Sequence, residues 1–333
     1  MTATQLLKAI SKANNGLMGA AEIRTFEHSL IKMLFSNQND VFQDLTTMKK
    51  SIEQPTKAIL FNRQYVASGT GKTHDHTGAG ADTFEKDIAF VQRVQTFQIS
   101  YKRAANNQFT YQEILNNKLK QAVINLYEDI SSYAIAQIAA QRSQVGVDSI
   151  IPFDDVTNYQ FDNPSASNKF FFDYLKAAMK KNKFRGVMDV VGDQMNAALY
   201  RDLARNATQN ADNTAFQLPN INFVEEEQMA ITANGEAYAW QKGLVGMTSW
   251  NEQLNVEGKG APGDNDGFFT TMKDPILPMT HDVHIINSIQ DTTGAAGNPQ
   301  DSVDEYEISS IITLQGAYES TANASPIFRF TQG

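Results

Sequence analysis

Residues 110–144 read TYQEILNNKLKQAVINLYEDISSYAIAQIAAQRSQ, and the fold turns on this stretch. Thr110 and Glu113 have the spacing of a capping box, in which each side chain satisfies an exposed backbone N–H at a helix start. Ile114, Leu115, Leu119, Val123, Leu126, Tyr127, Ile130, Ala134 and Ile138 then recur at helical spacing, and no Gly or Pro intervenes before Gly146. Leu115, Leu119, Val123, Leu126, Ile130 and Ile138 form the predicted buried stripe. About 34 residues at 1.5 Å each give a helix about 50 Å long. A compact sphere of this chain length has a diameter of roughly 50 Å. One helix therefore spans the molecule, which predicts an elongated or flattened body.

Upstream, Thr56–Ser68 (TKAILFNRQYVAS) and Asp87–Tyr101 (DIAFVQRVQTFQISY) are rich in β-branched and aromatic residues. Gly69, Gly71, Gly78 and Gly80 punctuate the segment between them. Two strand-like runs around a Gly-rich centre predict a hairpin. Its loop is longer than the usual 2–5 residues. Neither run alternates cleanly between polar and apolar, as a strand half-buried on one core should. The hairpin is therefore expected to project and meet other surfaces. Before it, Leu6, Leu7 and Ile10 make a short helical stripe ending at Asn14-Asn15-Gly16, and Ala20–Phe35 resumes helical spacing.

Downstream the pattern becomes mixed α/β. Ser167 or Asn168 can cap a helix through Lys181, and Asp193 one through Asn206. Strands are expected at Gly186–Val191 and near Ile221–Val224, Val283–Ile289, Glu307–Leu314 and Ile327–Phe330. Gly258–Gly267 (GKGAPGDNDG) reads as a turn-rich loop. No repeat at solenoid periods is present.

Composition narrows the function classes. The 333 residues carry a formal net charge of −9, which argues against a dedicated nucleic-acid binder with a basic face. No cysteine is present, which excludes a disulfide framework, a thiol nucleophile and thiolate metal sites. No apolar run approaches the ~18 residues of a membrane span. The first twenty residues lack the apolar core of a signal peptide. Asn and Gln number 27 and 25, a share that suits polar surfaces and subunit interfaces.

Several short motifs suggest chemistry, and each has a plainer reading. Gly69-Thr70-Gly71-Lys72-Thr73 looks like the end of a phosphate-cradling loop. Position 66, where that loop needs Gly, is Val66, and His74-Asp75-His76-Thr77-Gly78 does not open a helix, so a hairpin tip is favoured. His74-Asp75-His76 and His281-Asp282-Val283-His284 each offer two imidazoles. A structural zinc site needs four ligands, so exposed loop histidines are expected and no metal or cofactor is assigned. Asp264-Asn265-Asp266-Gly267 lacks the ligand spacing of a calcium loop and reads as a turn. Lys176, Lys180, Lys181, Lys183 and Arg185 run without an intervening acid and read as a solvated helix end, with a weaker claim to a nucleic-acid or partner contact. Glu225-Glu226-Glu227 reads as a solvated face. No nucleophile elbow, zincin helix or dinucleotide fingerprint occurs, so no catalytic residue is assigned.

The order of elements resembles the major capsid proteins of tailed bacteriophages, the Hong Kong 97-type shell fold. The resemblance rests on the hairpin with its tip at Ser68–Asp82, the helix Thr110–Gln144, Arg185–Asn206 (RGVMDVVGDQMNAALYRDLARN) and Ala237–Trp250 (AYAWQKGLVGMTSW). It implies an α+β (mixed) chain: an N-terminal helical arm (1–55), an extended β-hairpin loop (56–103), and a peripheral domain (104–165) with a spine helix (110–144). An α/β axial domain (166–305) and C-terminal strands (306–333) returning to the peripheral domain would follow. It further implies a non-enzymatic major capsid protein that self-assembles as hexamers and pentamers into an icosahedral shell around double-stranded DNA. Gly69, Gly71, Lys72, Gly78 and Gly80 would be intersubunit contacts at the hairpin tip. Expected partners are further copies, a separate scaffolding protein, a portal, a possible decoration protein and DNA bound without sequence specificity, with no membrane. The expected location is the virion, assembled in the host cytoplasm. Some relatives crosslink through lysine, and Lys72 lies where such a lysine could sit. The alternatives are an encapsulin-like nanocompartment enclosing a cargo enzyme, and a soluble enzyme with a phosphate site at Gly69–Thr73.

Overall fold

The computed structural model describes residues 8–13, 29–36, 56–61, 83–105, 108–142, 159–161, 170–208, 220–230, 235–251, 267–290, 301–318 and 325–332. The chain is α+β, and one long helix and two five-stranded sheets contribute to a main core.

That helix, α3 (Tyr111–Ala140), follows α1 (Ser29–Ser36) and α2 (Tyr101–Ala105). Thr110 caps it in the box its sequence predicts: Glu113 N–H donates to the Thr110 hydroxyl, and Thr110 N–H donates to Glu113 Oε2 at 2.8 Å. Its 30 residues span about 45 Å. Leu115, Leu119, Val123, Leu126, Ile130 and Ile138 are all fully buried. The helix ends at Gln141, three residues short of the predicted limit.

The helix lies across the first sheet, in which β3 (Val91–Ser100), β11 (Asp301–Gly316), β10 (Thr280–Gln290) and β9 (Phe268–Lys273) are neighbours in that order. β8 (Val245–Trp250) pairs with the far end of β11. β11 thus takes β3 along one edge, and β10 then β8 along the other. The helix α1 packs on β8 and the spine, burying Leu30, Ile31 and Leu34. Ala9, Ile10 and Ala13, in a helical segment at 8–13, join the same core.

The second sheet has the order β4 (Tyr159–Phe161), β12 (Phe328–Gln332), β7 (Glu236–Gln241), β5 (Met188–Gly192), β6 (Ile221–Glu225). β5 and β6 are parallel and joined through α5 (Gln194–Thr208), a βαβ unit. Gly192 lets this unit close, because a Cβ there would sit 2.9 Å from the Phe223 ring. α4 (Phe171–Lys181) covers the same face, with Phe172 edge-on to Tyr200 and Phe223.

The hairpin takes a second strand other than the one its sequence suggests. β1 (Lys57–Phe61) pairs with β2 (Thr83–Asp87), and the run expected as its second strand breaks at 88–90. Beyond the break, β3 belongs to the spine sheet and alternates between half-buried and exposed positions. Its alternation is hidden in the sequence because Arg93 occupies an inward position, where it pairs with Asp129 at 3.3 Å and lies over the Tyr133 ring. Phe170, not Ser167 or Asn168, is the N-cap of α4, and it makes no side-chain cap bond. The span 166–305 contributes to both sheets: β8, β9 and β10 lie in the spine sheet. Within the C-terminal stretch, β11 lies under the spine and β12 in the second sheet. Hairpin, spine helix on an antiparallel sheet, then α/β body is the order that the resemblance to the Hong Kong 97-type shell fold implies.

Candidate functional site

At the C-terminal end of the spine, one residue joins four elements. Gln141 Nε2 donates to Leu314 O at 3.0 Å, and Gly316 N–H donates to Gln141 Oε1 at 3.2 Å. Lys86, on the hairpin strand β2, reaches the same Oε1 at 3.5 Å, and the Ser325 hydroxyl donates to the Gln141 carbonyl. Hairpin, spine, β11 and the entry to β12 therefore meet at one residue. The hairpin base is closed by Ile88 N–H donating to Thr56 O at 2.8 Å.

At the other end, Asp304 on β11 accepts from Tyr101 (2.8 Å), Tyr111 (2.5 Å) and Asn287 (2.8 Å). Tyr111 and Tyr306 hydroxyls meet at 2.8 Å. Burial, reinforced by Asp304, pushes the Tyr101 hydroxyl up to about 12, and burial together with Tyr306 and Asp304 raises the Tyr111 hydroxyl. These phenols stay protonated and act as donors that lock the first turn of the spine to the sheet.

The middle of the spine carries an arrangement that the sequence hid. Ser310 Oγ lies 2.6 Å from His281 Nδ1, and His281 Nε2 lies 2.8 Å from Asp274 Oδ2. Tyr127 donates to the same Oδ2 at 2.7 Å, and the Ile276 and Leu277 N–H groups each reach Oδ1 at 2.7 Å. A carboxylate only accepts, so Nε2 bears the proton. Serine, histidine and carboxylate in series is the constellation of a hydrolytic nucleophile. Here Ser310 is 1% exposed and His281 and Asp274 are sealed, so no substrate carbonyl reaches the hydroxyl. The network is a clamp tying the spine to the 274–279 turn and to the β10–β11 pair. Burial works to raise the Asp274 carboxyl, but His281, the Leu277 N–H and Tyr127 outweigh it and hold it below the usual carboxylate range. The expected exposed loop histidine at 281 is thus a buried strand residue. His284 lies on the opposite face, stacked on Phe269 at 4.1 Å, so the two imidazoles do not converge.

In the second body, Asp193 caps α5 by accepting from Asn196 N–H and Nδ2, both at 3.0 Å, and anchors β7 through Glu236 N–H. The run 225–227 is not uniformly solvated: Glu225 pairs with Arg201, and Glu226 is buried. Burial raises the Glu226 carboxyl, and the Ser131 hydroxyl and the Gln228 N–H offset part of that shift. Lys180, Lys181, Lys183 and Arg185 are exposed at the end of α4. Gly69, Gly71, Lys72, Gly78 and Gly80, together with His74, His76 and Asp264–Asp266, lie outside the described residues. Asp274 and Ser310 gave no motif because their partners lie 7 and 29 residues away from them.

No protein-family model matches the sequence, and no curated protein matches it. Among solved structures, the chain is similar to one from Mycobacterium phage Che8, at 9% identity over 90% of each chain with a TM-score of 0.49. It is similar to the capsid of the native GTA particle at 12% identity, covering 84% of this chain and 86% of that chain, with a TM-score of 0.47. It is also similar to the virus-like particle from Pyrococcus furiosus at 11% identity, covering 89% of this chain and 98% of that one, with a TM-score of 0.38.

Proposed function

We propose that this chain is a structural shell subunit, the major capsid protein of a tailed bacteriophage, and not an enzyme. Copies assemble as hexamers and pentamers into an icosahedral container for double-stranded DNA, in the host cytoplasm, with scaffolding, portal and decoration proteins supplied separately. The observation that carries this reading is the hairpin fastened through Gln141 to a spine of about 45 Å lying across an antiparallel sheet. A hairpin held at its base by the longest rigid element transmits a neighbour's pull into the subunit body. The only serine–histidine–carboxylate series found among the described residues is sealed from substrate, which removes it as a basis for catalysis.

Expression of the chain alone and with candidate scaffold, followed by negative-stain electron microscopy and light scattering, tests the reading. Closed shells, tubes or capsomers are expected. Monomers under both conditions would overturn it. Nucleic acid rather than protein inside particles purified from their source separates a phage capsid from a nanocompartment.

A further inference from the structure

The face of the spine sheet turned away from the helix carries a hollow. Tyr306 and Ile308 point into the core, so Glu305 and Glu307 point outward. Strand register sets Gln98 and Ile286 either side of Glu305, and Thr96 and His284 either side of Glu307. These side chains line a hollow of about 400 Å³. Ser288 and Gln290 donate to Glu305. The Glu307 side chain has no hydrogen bond, and neither carboxylate has an ion pair, among the described residues. Two half-buried carboxylates in a hollow favour a cationic occupant.

The opposite charge sits at the end of α4. Residues 176–185 (KAAMKKNKFR) hold five cations and no acid. Lys180, Lys183 and Arg185 are exposed and outside every ion pair among the described residues. Lys183 closes the helix in the left-handed region, at φ 66°. Phe184 N–H donates to Met179 O and Lys183 N–H to Lys180 O, the bonds of a Schellman motif whose left-handed position is usually Gly. A lysine there holds a conformation that glycine adopts without strain, and its side chain adds a cation at the tip of the basic run.

We propose that these two surfaces meet between copies: the lysine-bearing end of α4 on one copy docks in the Glu305–Glu307 hollow of the next. The proposal rests on the shell reading and specifies one of its contacts. At net charge −9, most of a second copy's surface is repelled by an acidic face, and the 176–185 run is its complement. The contact is head-to-tail, the type that generates rings when its rotation closes.

The test uses three full-length variants whose melting temperatures match the parent chain. Lys180→Glu with Lys183→Glu reverses the helix end. Glu305→Lys with Glu307→Lys reverses the hollow, and Glu307→Lys alone serves if the pair fails to fold, since the Glu307 side chain has no hydrogen bond to lose among the described residues. The third variant carries both reversals. Association is read by sedimentation with one labelled partner. The two reversed variants should bind each other about tenfold more tightly than either binds itself, and about 0.5 M salt should erase the difference. The doubly reversed chain should self-associate like the parent. In particles, an equal mixture should favour rings with even subunit number, because every contact must join unlike copies. Equal like and unlike binding overturns the docking proposal, whether or not shells form. So does a helix-end variant that associates normally and instead loses affinity for a short DNA duplex, which would mark that end as a nucleic-acid surface. Absence of particles with the unlike preference intact would overturn the shell reading and leave the contact standing.

Discussion

Asp274 is the most heavily bonded acid under the spine, and its chemistry sets a pH dependence. Its carboxyl is held below the ordinary range by His281, the Leu277 N–H and Tyr127, against the opposing effect of burial. A depressed folded pKa contributes stability above the unfolded value of about 3.9 and loses it as pH falls through the folded value. Asp274→Asn should therefore lower stability by about 3 kcal/mol at pH 7, by breaking a buried charged network. The gap to the parent should shrink as pH falls below about 3.9. Urea unfolding at both pH values checks this, and a constant gap would show that the charge is irrelevant. Glu226 has the opposite sign. Burial raises its carboxyl by more than the Ser131 hydroxyl and the Gln228 N–H offset. A raised folded pKa contributes stability below about pH 4.3 and loses it as pH rises through the folded value. Glu226→Gln should thus raise the melting temperature at pH 7 and leave it nearly unchanged at pH 4. An equal change at both would assign the effect to packing.

At the scale of elements, the spine is the part both stated in the sequence and central to the core. Leu126 is fully buried midway along it, so Leu126→Ala should cost about 2–5 kcal/mol through lost burial and the cavity left behind. Thr110→Ala, which removes only the cap, should cost about 1 kcal/mol. Chemical denaturation of both variants checks the ranking, and a reversal would mean that the helix is held by its end rather than its stripe. The spine was legible because capping and periodicity are local signals, written within one element. β3 reads from its sequence as part of a projecting hairpin because its inward Arg93 is compensated by Asp129 and Tyr133, 36 and 40 residues on, a relation that no local pattern carries. The clamp at Asp274, His281 and Ser310 was invisible for the same reason: strand register brings it together, and register is a long-range property. The basic end of α4 was readable as a charge run, but the left-handed Lys183 that terminates it was not.

For the whole molecule, the decisive question is where a subunit's second surface goes. The spine buries one face of its sheet, and the other face carries the Glu305–Glu307 hollow. The hairpin base is bound to the body through Lys86 and Gln141, while residues 62–82 between β1 and β2 lie outside the described residues. Removing Gly69–Asp82 with a short Gly-Ser bridge leaves β1, β2 and the Gln141 joint in place. The shortened chain should melt within a degree or two of the parent, because the core under the spine is untouched. It should fail to form particles under conditions in which the parent assembles, if the tip supplies contacts between subunits. Normal particles would show that the tip is dispensable and move the assembly contacts onto the sheet face and α4. A lowered melting temperature would instead mean that the tip packs on its own subunit, so that lost assembly followed from lost stability. The pair of measurements separates these cases because the Gln141 joint ties the hairpin base, not its tip, to the fold.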